Sequence, residues 1–169
     1  MTNNKTIVVK NFEEKSILVS REFNAPIMNV WRAHTEPELL AQWWAPHPWK
    51  AETKTMNFTE GGYWLYAMVG PENEKHWGRM NYISIDLYKS YSLEDSFCDE
   101  NGNINPDLPT SKGQTIFTET ENGTRVDFKM SYSSEKELQT IVEMGFEQGI
   151  SICMDQLDEY LKAWNKRDV

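Results

Sequence analysis

The stretch from Gly61 to Gly102 constrains the fold of this chain more than any other. Large and small or polar residues alternate along it, and turn-forming sequences interrupt the alternation at 60–62 and 70–73. A period of two is typical of β-strands that turn one face to the interior. Wide aromatic and methionine side chains share that face: Trp64, Tyr66 and Met68; His76, Met80 and Tyr82; Tyr91, Leu93 and Phe97.

The same alternation extends to both sides of this stretch. It predicts one strand over 16–23, with residues 6–12 forming a further strand or an extension of it. Six strands are predicted after the helices described below, near 49–58, 63–70, 75–86, 88–98, 112–121 and 124–132.

Two short helices are predicted between the first strand and the meander. The spacing i, i+3, i+4, i+7 of Ile27, Val30, Trp31 and His34 indicates an amphipathic helix, with Asn24 as its N-cap. A capping box at 35–38 begins the second helix, whose apolar residues are Leu39, Leu40, Trp43 and Trp44.

A long C-terminal helix follows the last strand. A capping box at 134–137 begins it, and an apolar stripe continues to about Trp164. Gly145 and Gly149 lie inside this segment, where glycine is unfavourable. They predict a kink, or a close approach of the backbone to the sheet or to a ligand.

The 169 residues fit one domain that buries a core without metal or disulfides. We expect an N-terminal extension over 1–15, a single domain over 16–165 and a tail over 166–169. No apolar run approaches the roughly 20 residues that a membrane span requires. Cys98 and Cys153 are predicted to be free thiols in the cytoplasm, because no secretion signal precedes them.

The net charge of −9 argues against nucleic acid as a partner, because an acidic surface repels phosphates. None of the three histidines has a metal-ligand spacing, and no nucleophile–base set or phosphate loop is present. The sequence therefore predicts no catalytic residue, no metal and no cofactor.

The order of elements and several short motifs resemble one known family. The motifs are 23–26 with Val30-Trp31, Trp43-Trp44-Ala45-Pro46, Gly61-Gly62-Tyr63-Trp64, Gly70-Pro71, 99–102, 117–119, and 145–149 leading to 155–157. Together they resemble the helix-grip superfamily of START and birch-allergen-like proteins. Within it they resemble the AHSA1-like domain, homologous to the C-terminal part of activators of the 90-kDa heat-shock chaperone ATPase.

The resemblance implies an α+β helix-grip fold, in which a curved antiparallel sheet wraps around a long C-terminal helix. Two short helices follow the first strand of the domain. The fold implies a cavity between sheet and helix but no particular reaction. Chain 86–88 departs from the family, whose members commonly carry prolines there.

Apolar and aromatic residues that face this cavity are the predicted ligand-binding set, with a few polar groups among them. The set is Trp64, Tyr66, Met68, His76, Met80, Tyr82, Asp95, Phe97, Phe117, Phe128, Phe146 and Ile150.

Two titratable side chains in this region have competing interpretations. Asp95 falls on the inward parity of its strand, so it is either a carboxyl inside the cavity or turned outward by a β-bulge. His34 lies on the buried stripe of its helix and is predicted to be a hydrogen-bonded core histidine. His76 is the one histidine expected in the pocket, and His47 is expected at its exposed mouth.

Three functions stay open on the sequence. The preferred one is binding of a hydrophobic or aromatic small molecule without catalysis. The second is an enzyme that acts on such a ligand, with His76, Asp95 or Tyr66 as acid–base groups. The third is a chaperone-associated module, disfavoured because 169 residues leave no room for the activators' separate N-terminal domain. An exposed patch at Trp43, Trp44 and Trp49 would support a partner or a homodimer contact.

Overall fold

A computed structural model describes residues 4–167 of the chain. Its elements in chain order are β1 (Ile7–Asn11), β2 (Ser16–Phe23), α1 (Ile27–Thr35), α2 (Pro37–Leu40), β3 (Lys50–Met56), β4 (Tyr63–Val69), β5 (Lys75–Asp86), β6 (Ser90–Cys98), β7 (Ser111–Glu119), β8 (Thr124–Ser131), α3 (Glu135–Glu143) and α4 (Phe146–Arg167). Part of the predicted extension (1–3) and of the predicted tail (168–169) lies outside the described residues.

All eight strands form one antiparallel sheet in the order β1-β2-β8-β7-β6-β5-β4-β3. β2 therefore pairs with the last strand, in a register that places Ile17 opposite Met130. The predicted extra strand over 6–12 is β1, which pairs with β2 at the edge of the sheet. These pairings confirm the curved antiparallel sheet of the helix-grip fold.

The predicted C-terminal helix is divided in two. Ser134 caps α3 as predicted, because its hydroxyl accepts a hydrogen bond from the backbone N–H of Glu137 at 3.1 Å. The helix stops at Met144, and Gly145 adopts φ +86°, a left-handed conformation that glycine tolerates best. α4 then begins at Phe146. The break therefore lies at Gly145, the first of the two glycines at which a kink was predicted.

The apolar stripe of α4 lies against the concave face of the sheet. Ile150, Cys153, Met154, Leu157 and Leu161 are all buried there. These residues belong to a single hydrophobic cluster that also includes the buried residues of α1 and of the inward faces of the strands. The stripe thereby fixes α4 lengthwise across the sheet.

Two predicted helix caps are wrong. Pro26, not Asn24, occupies the N-cap position of α1, and the Asn24 side chain accepts from Asn4 instead. Thr35 is the last residue of α1, where its hydroxyl donates to the carbonyl of Trp31 at 3.0 Å, so it lies one residue before the N-cap position of α2. Glu36 stands at the N-cap of α2 without a capping side-chain bond.

The second helix is also shorter than predicted. α2 ends at Leu40, so Trp43 and Trp44 lie in the turns that follow rather than on a helix. The indole N–H of Trp43 donates to the carbonyl of Ala33 at 2.9 Å. This bond draws the turn against α1, and the neighbouring Trp44 packs inward beside it.

Candidate functional site

A cavity of about 310 Å³ lies between the concave face of the sheet and α4. Strands β4 to β8 supply one side of it, and α4 with the turns after α2 supplies the other. Its lining is mainly apolar, and its volume is at the lower end of the range for small-molecule sites. The inward aromatic face therefore leaves open space instead of filling the core completely.

All but one of the residues predicted to bind a ligand line this cavity: Trp64, Tyr66, Met68, His76, Met80, Tyr82, Asp95, Phe97, Phe128, Phe146 and Ile150. Phe117 does not. It is buried under α1 instead, with its ring centroid 5.0 Å from that of Trp31 and 5.1 Å from that of His34. Ligand binding by the lining residues stays a prediction.

Three aromatic rings form one wall. Trp64 and Tyr66 project from the same face of β4 and stack with a centroid distance of 4.0 Å. Trp44 meets both edge-on, at 5.6 Å and 6.3 Å. The Trp64 N–H donates to the hydroxyl of Thr53 at 2.9 Å, which fixes its ring. Trp44 was missed by the strand pattern because it lies in a turn, where parity gives no direction.

Asp95 is the acidic side chain of the cavity. It pairs with Met80 on one side and Ser111 on the other without a register shift, so the bulge hypothesis is wrong. Burial raises the pKa of Asp95 to about 7, although a backbone hydrogen bond at Ser96 opposes the shift. Asp95 is half-buried and lines the cavity.

Arg79 is not the partner of Asp95. It points to the opposite side of the sheet, where it donates to Asn81 Oδ1 at 2.8 Å and to the carbonyl of Gly102 at 3.2 Å. Its guanidinium lies 4.1 Å from the ring centroid of Tyr63. No salt bridge of Asp95 occurs within residues 4–167.

Three tyrosines of the cavity lie close enough to Asp95 to be affected by its charge. Burial raises the pKa values of Tyr66, Tyr82 and Tyr132 well above their ordinary value, and the nearby Asp95 adds to each shift. Their hydroxyls consequently stay protonated. They supply neutral hydrogen-bonding groups to an otherwise apolar cavity.

His34 is the buried core histidine that the sequence predicts, and it also borders the cavity. Its Nδ1 lies 2.8 Å from the carbonyl of Val30. Burial lowers the pKa of His34 to about 4, so the ring is neutral, Nδ1–H donates and Nε2 is a bare acceptor. Nε2 is buried and has no partner within the described chain.

The other two histidines lie at the surface. His76 is exposed at the mouth of the cavity, 5.4 Å from Trp49 between ring centroids. His47 is exposed as predicted but is not among the residues that line the cavity or its mouth, and its backbone N–H donates to the Gln156 side chain at 2.9 Å. Neither is buried enough to be an anchor inside the cavity.

Cys153 is a buried packing residue, as expected from the helix stripe. Its thiol donates to the carbonyl of Trp44 at 3.1 Å, and burial raises the pKa of Cys153 to about 12. It stays a thiol, and Cys98 is free as well.

The tryptophans after α2 do not form an exposed patch. Trp43 is 1% exposed, while Trp44 and Trp49 are half-buried. These three tryptophans therefore do not provide the exposed surface that a partner or homodimer contact at this place would need.

Residues 4–167 contain no group of three or more His, Cys, Asp or Glu that could hold a metal ion. No helix within the same range is long and apolar enough to cross a membrane.

Comparison with solved structures gives the same architecture. Protein Ms6760 from Mycobacterium smegmatis is 33% identical, with a TM-score of 0.85 over 92% of this chain and 96% of that one. A protein from Arthrobacter aurescens is 31% identical, with a TM-score of 0.87 over 93% and 91% of the two chains. A protein from Nitrosomonas europaea is 26% identical, with a TM-score of 0.79 over 90% and 97%.

No curated protein matches the sequence. The family model described as "Activator of Hsp90 ATPase homolog 1-like protein" matches residues 24–162, which include α1, the sheet from β3 to β8 and most of α4. The chain therefore belongs to the family of activator of Hsp90 ATPase homolog 1-like proteins.

Proposed function

We propose that this protein binds a hydrophobic or aromatic small molecule in the cavity between the sheet and α4, without a reaction. The observation that carries the proposal is the cavity of about 310 Å³ itself, lined by aromatic rings and methionines. Apolar surface removed from water supplies most of the affinity in such sites, and a few polar groups orient the ligand. The two free cysteines fit a reducing cytoplasm as the place of action.

Thermal melting in the presence of neutral bicyclic aromatics and of fatty acids tests the proposal. A ligand that binds only the folded state adds about 2.7 kcal/mol at a hundredfold excess over its Kd. We expect at least one of these compounds to raise the melting temperature of the wild type.

Met80→Ala tests whether binding occurs in this cavity. Met80 is buried but lines open space, so its truncation is expected to lose less than the ~2–5 kcal/mol of a packed core site and to change ligand affinity. Leu157→Ala is the control, because Leu157 is fully buried in α4 away from the cavity. A core-sized loss for Met80→Ala, with no thermal shift from any compound, would refute the proposal.

A further inference from the structure

Asp95 stands in the middle of the row of side chains that crosses the cavity floor. The row runs from Trp64 on β4 through Met80 and Asp95 to Ser111 on β7, each opposite the next across neighbouring strands. Asp95 lines the cavity, and no side-chain cation within residues 4–167 pairs with it. A carboxylate in such a place is incompletely compensated.

The surroundings of Asp95 suit a cation better than a neutral ligand group. The rings of Trp44, Trp64 and Tyr66 line the same cavity, and aromatic rings attract cations through their electron-rich faces. The net charge of −9 draws cations toward the protein from solution. The hydroxyls of Tyr82 and Tyr132 are neutral, so they supply no positive charge to compensate Asp95 when it ionises.

We propose that the ligand is an arylalkylamine, an aromatic body with an amine on a short alkyl arm, whose protonated nitrogen pairs with Asp95 while its rings pack against Trp44, Trp64 and Tyr66. The proposal rests on the small-molecule function given above and adds the chemical class of the ligand. The apolar lining then binds the body of the ligand, and a charge-assisted hydrogen bond to the carboxylate fixes its orientation.

Three probes share a naphthalene body and differ in their side group. They separate binding in the cavity from a preference for a protonated amine. Naphthylethylamine carries a positive charge, naphthylethanol is neutral and naphthylacetate is negative. Titration calorimetry of the wild type is expected to give a Kd for the amine at least about tenfold lower than for the alcohol, with the acetate weakest.

Asp95→Asn assigns the preference to this carboxylate. The variant is expected to bind naphthylethylamine and naphthylethanol equally, with the Kd for the alcohol within about twofold of the wild type. Asp86→Asn is the matched control, because it removes the same unit of charge from an exposed position at the end of β5. It is expected to retain the preference for the amine.

The pH dependence of the wild type gives a second readout that needs no variant. Affinity for the amine is expected to rise between pH 6 and pH 8 as Asp95 ionises, because its pKa is about 7 and an alkylamine stays protonated there. The other titratable residues that line the cavity are His34, Tyr66, Tyr82, Tyr91, Tyr132 and Cys153, with His76 at its mouth and the exposed Lys129 on β8. The affinity for naphthylethanol, measured over the same pH range, shows any change that the titration of these groups causes.

The outcomes distinguish the two proposals. If naphthylethanol binds but the amine is not preferred, or the preference survives Asp95→Asn, or affinity for the amine is flat with pH, the amine proposal is overturned and cavity binding stands. If none of the three probes binds, the amine proposal is overturned, and cavity binding fails as well if the fatty acids give no thermal shift.

Discussion

The ring of Tyr66 lies across the backbone of Gly78, its partner on the neighbouring strand. A Cβ atom on Gly78 would lie 2.7 Å from the Tyr66 hydroxyl oxygen and 2.8 Å from Cζ, closer than real contacts allow. Only glycine at position 78 permits this placement, in which Tyr66 stacks on Trp64 and the cavity stays open.

Gly78→Ala is therefore expected to displace the Tyr66 ring and to lose roughly 1–3 kcal/mol of unfolding free energy, the usual range for overpacking. Urea denaturation measures the loss. In a Tyr66→Ala background the same substitution should cost much less, because the clashing ring is gone. An equal loss in both backgrounds would show that the contact with Tyr66 is not the cause.

Gly145 and Gly149 are expected to respond to alanine in opposite directions. Gly145 has φ +86°, where alanine is strained, so Gly145→Ala should lower the unfolding free energy by about 1–2 kcal/mol. Gly149 lies within α4, and a Cβ there would meet nothing within 4 Å, so Gly149→Ala should raise it by about 0.5–1 kcal/mol. Denaturant melts of both variants check the signs, and a stabilising Gly145→Ala would contradict the described break.

Asp95→Asn is expected to change how stability depends on pH. The folded pKa of about 7 lies above the unfolded value of about 3.9, so between these values the unfolded chain ionises while the native carboxyl keeps its proton. The contribution of Asp95 to the unfolding free energy of the wild type is therefore fully present below pH 4 and is lost as pH rises through about 7.

Unfolding melts of Asp95→Asn and wild type at pH 4 and pH 8 measure this effect. The variant should be nearly equal to the wild type at pH 4 and more stable by roughly 1–3 kcal/mol at pH 8. Asp86→Asn, at an exposed position, should show no such difference. A variant of Asp95 that is destabilised equally at both pH values would refute the burial of a neutral carboxyl.

His34 is expected to make stability depend on pH in the direction opposite to Asp95, and His34→Phe should remove that dependence. The folded pKa of about 4 lies below the unfolded value of about 6.5, so the wild type loses stability as pH falls through this range. Phe keeps a ring between Trp43 and Phe117 but does not titrate. The difference in unfolding free energy between wild type and variant should shift by roughly 2–3 kcal/mol between pH 7 and pH 4. A constant difference would indicate that His34 is not buried in its neutral form.

The strands were predictable because the signals that identify them, alternating side chains and turn sequences, lie within each short segment of the chain. Inward and outward residues alternate along β4 and β6, and along β5 up to the bulge at 82–84, and turns at 60–62 and 70–73 fix where the alternation restarts. The cap at Ser134 was predictable for the same reason, since its hydroxyl has no competing partner. Asn24 and Thr35 are not caps because α1 and α2 begin further along the chain, with Pro26 and Glu36 at the N-cap positions.

Strand parity alone did not predict the cavity, which was expected only from the family resemblance, because inward parity does not distinguish a lining residue from a filling one. Phe117 shares the parity of Met130 but lies under α1, where Trp31 covers it. Trp44 enters the wall from a turn whose direction depends on the Trp43–Ala33 hydrogen bond. Both depend on contacts between elements far apart in the chain.

Fluorescence titration with N-phenylnaphthylamine, a neutral dye that brightens in apolar surroundings, tests the central claim most directly. The wild type should bind it saturably. Gly149→Leu should raise the Kd at least about tenfold, because the new side chain enters the open space beside Gly149, whereas Gln148→Leu on the exposed side of α4 should change it less than about twofold. Saturable binding that Gly149→Leu leaves unchanged, or no saturable binding by the wild type, would contradict a ligand site between the sheet and α4.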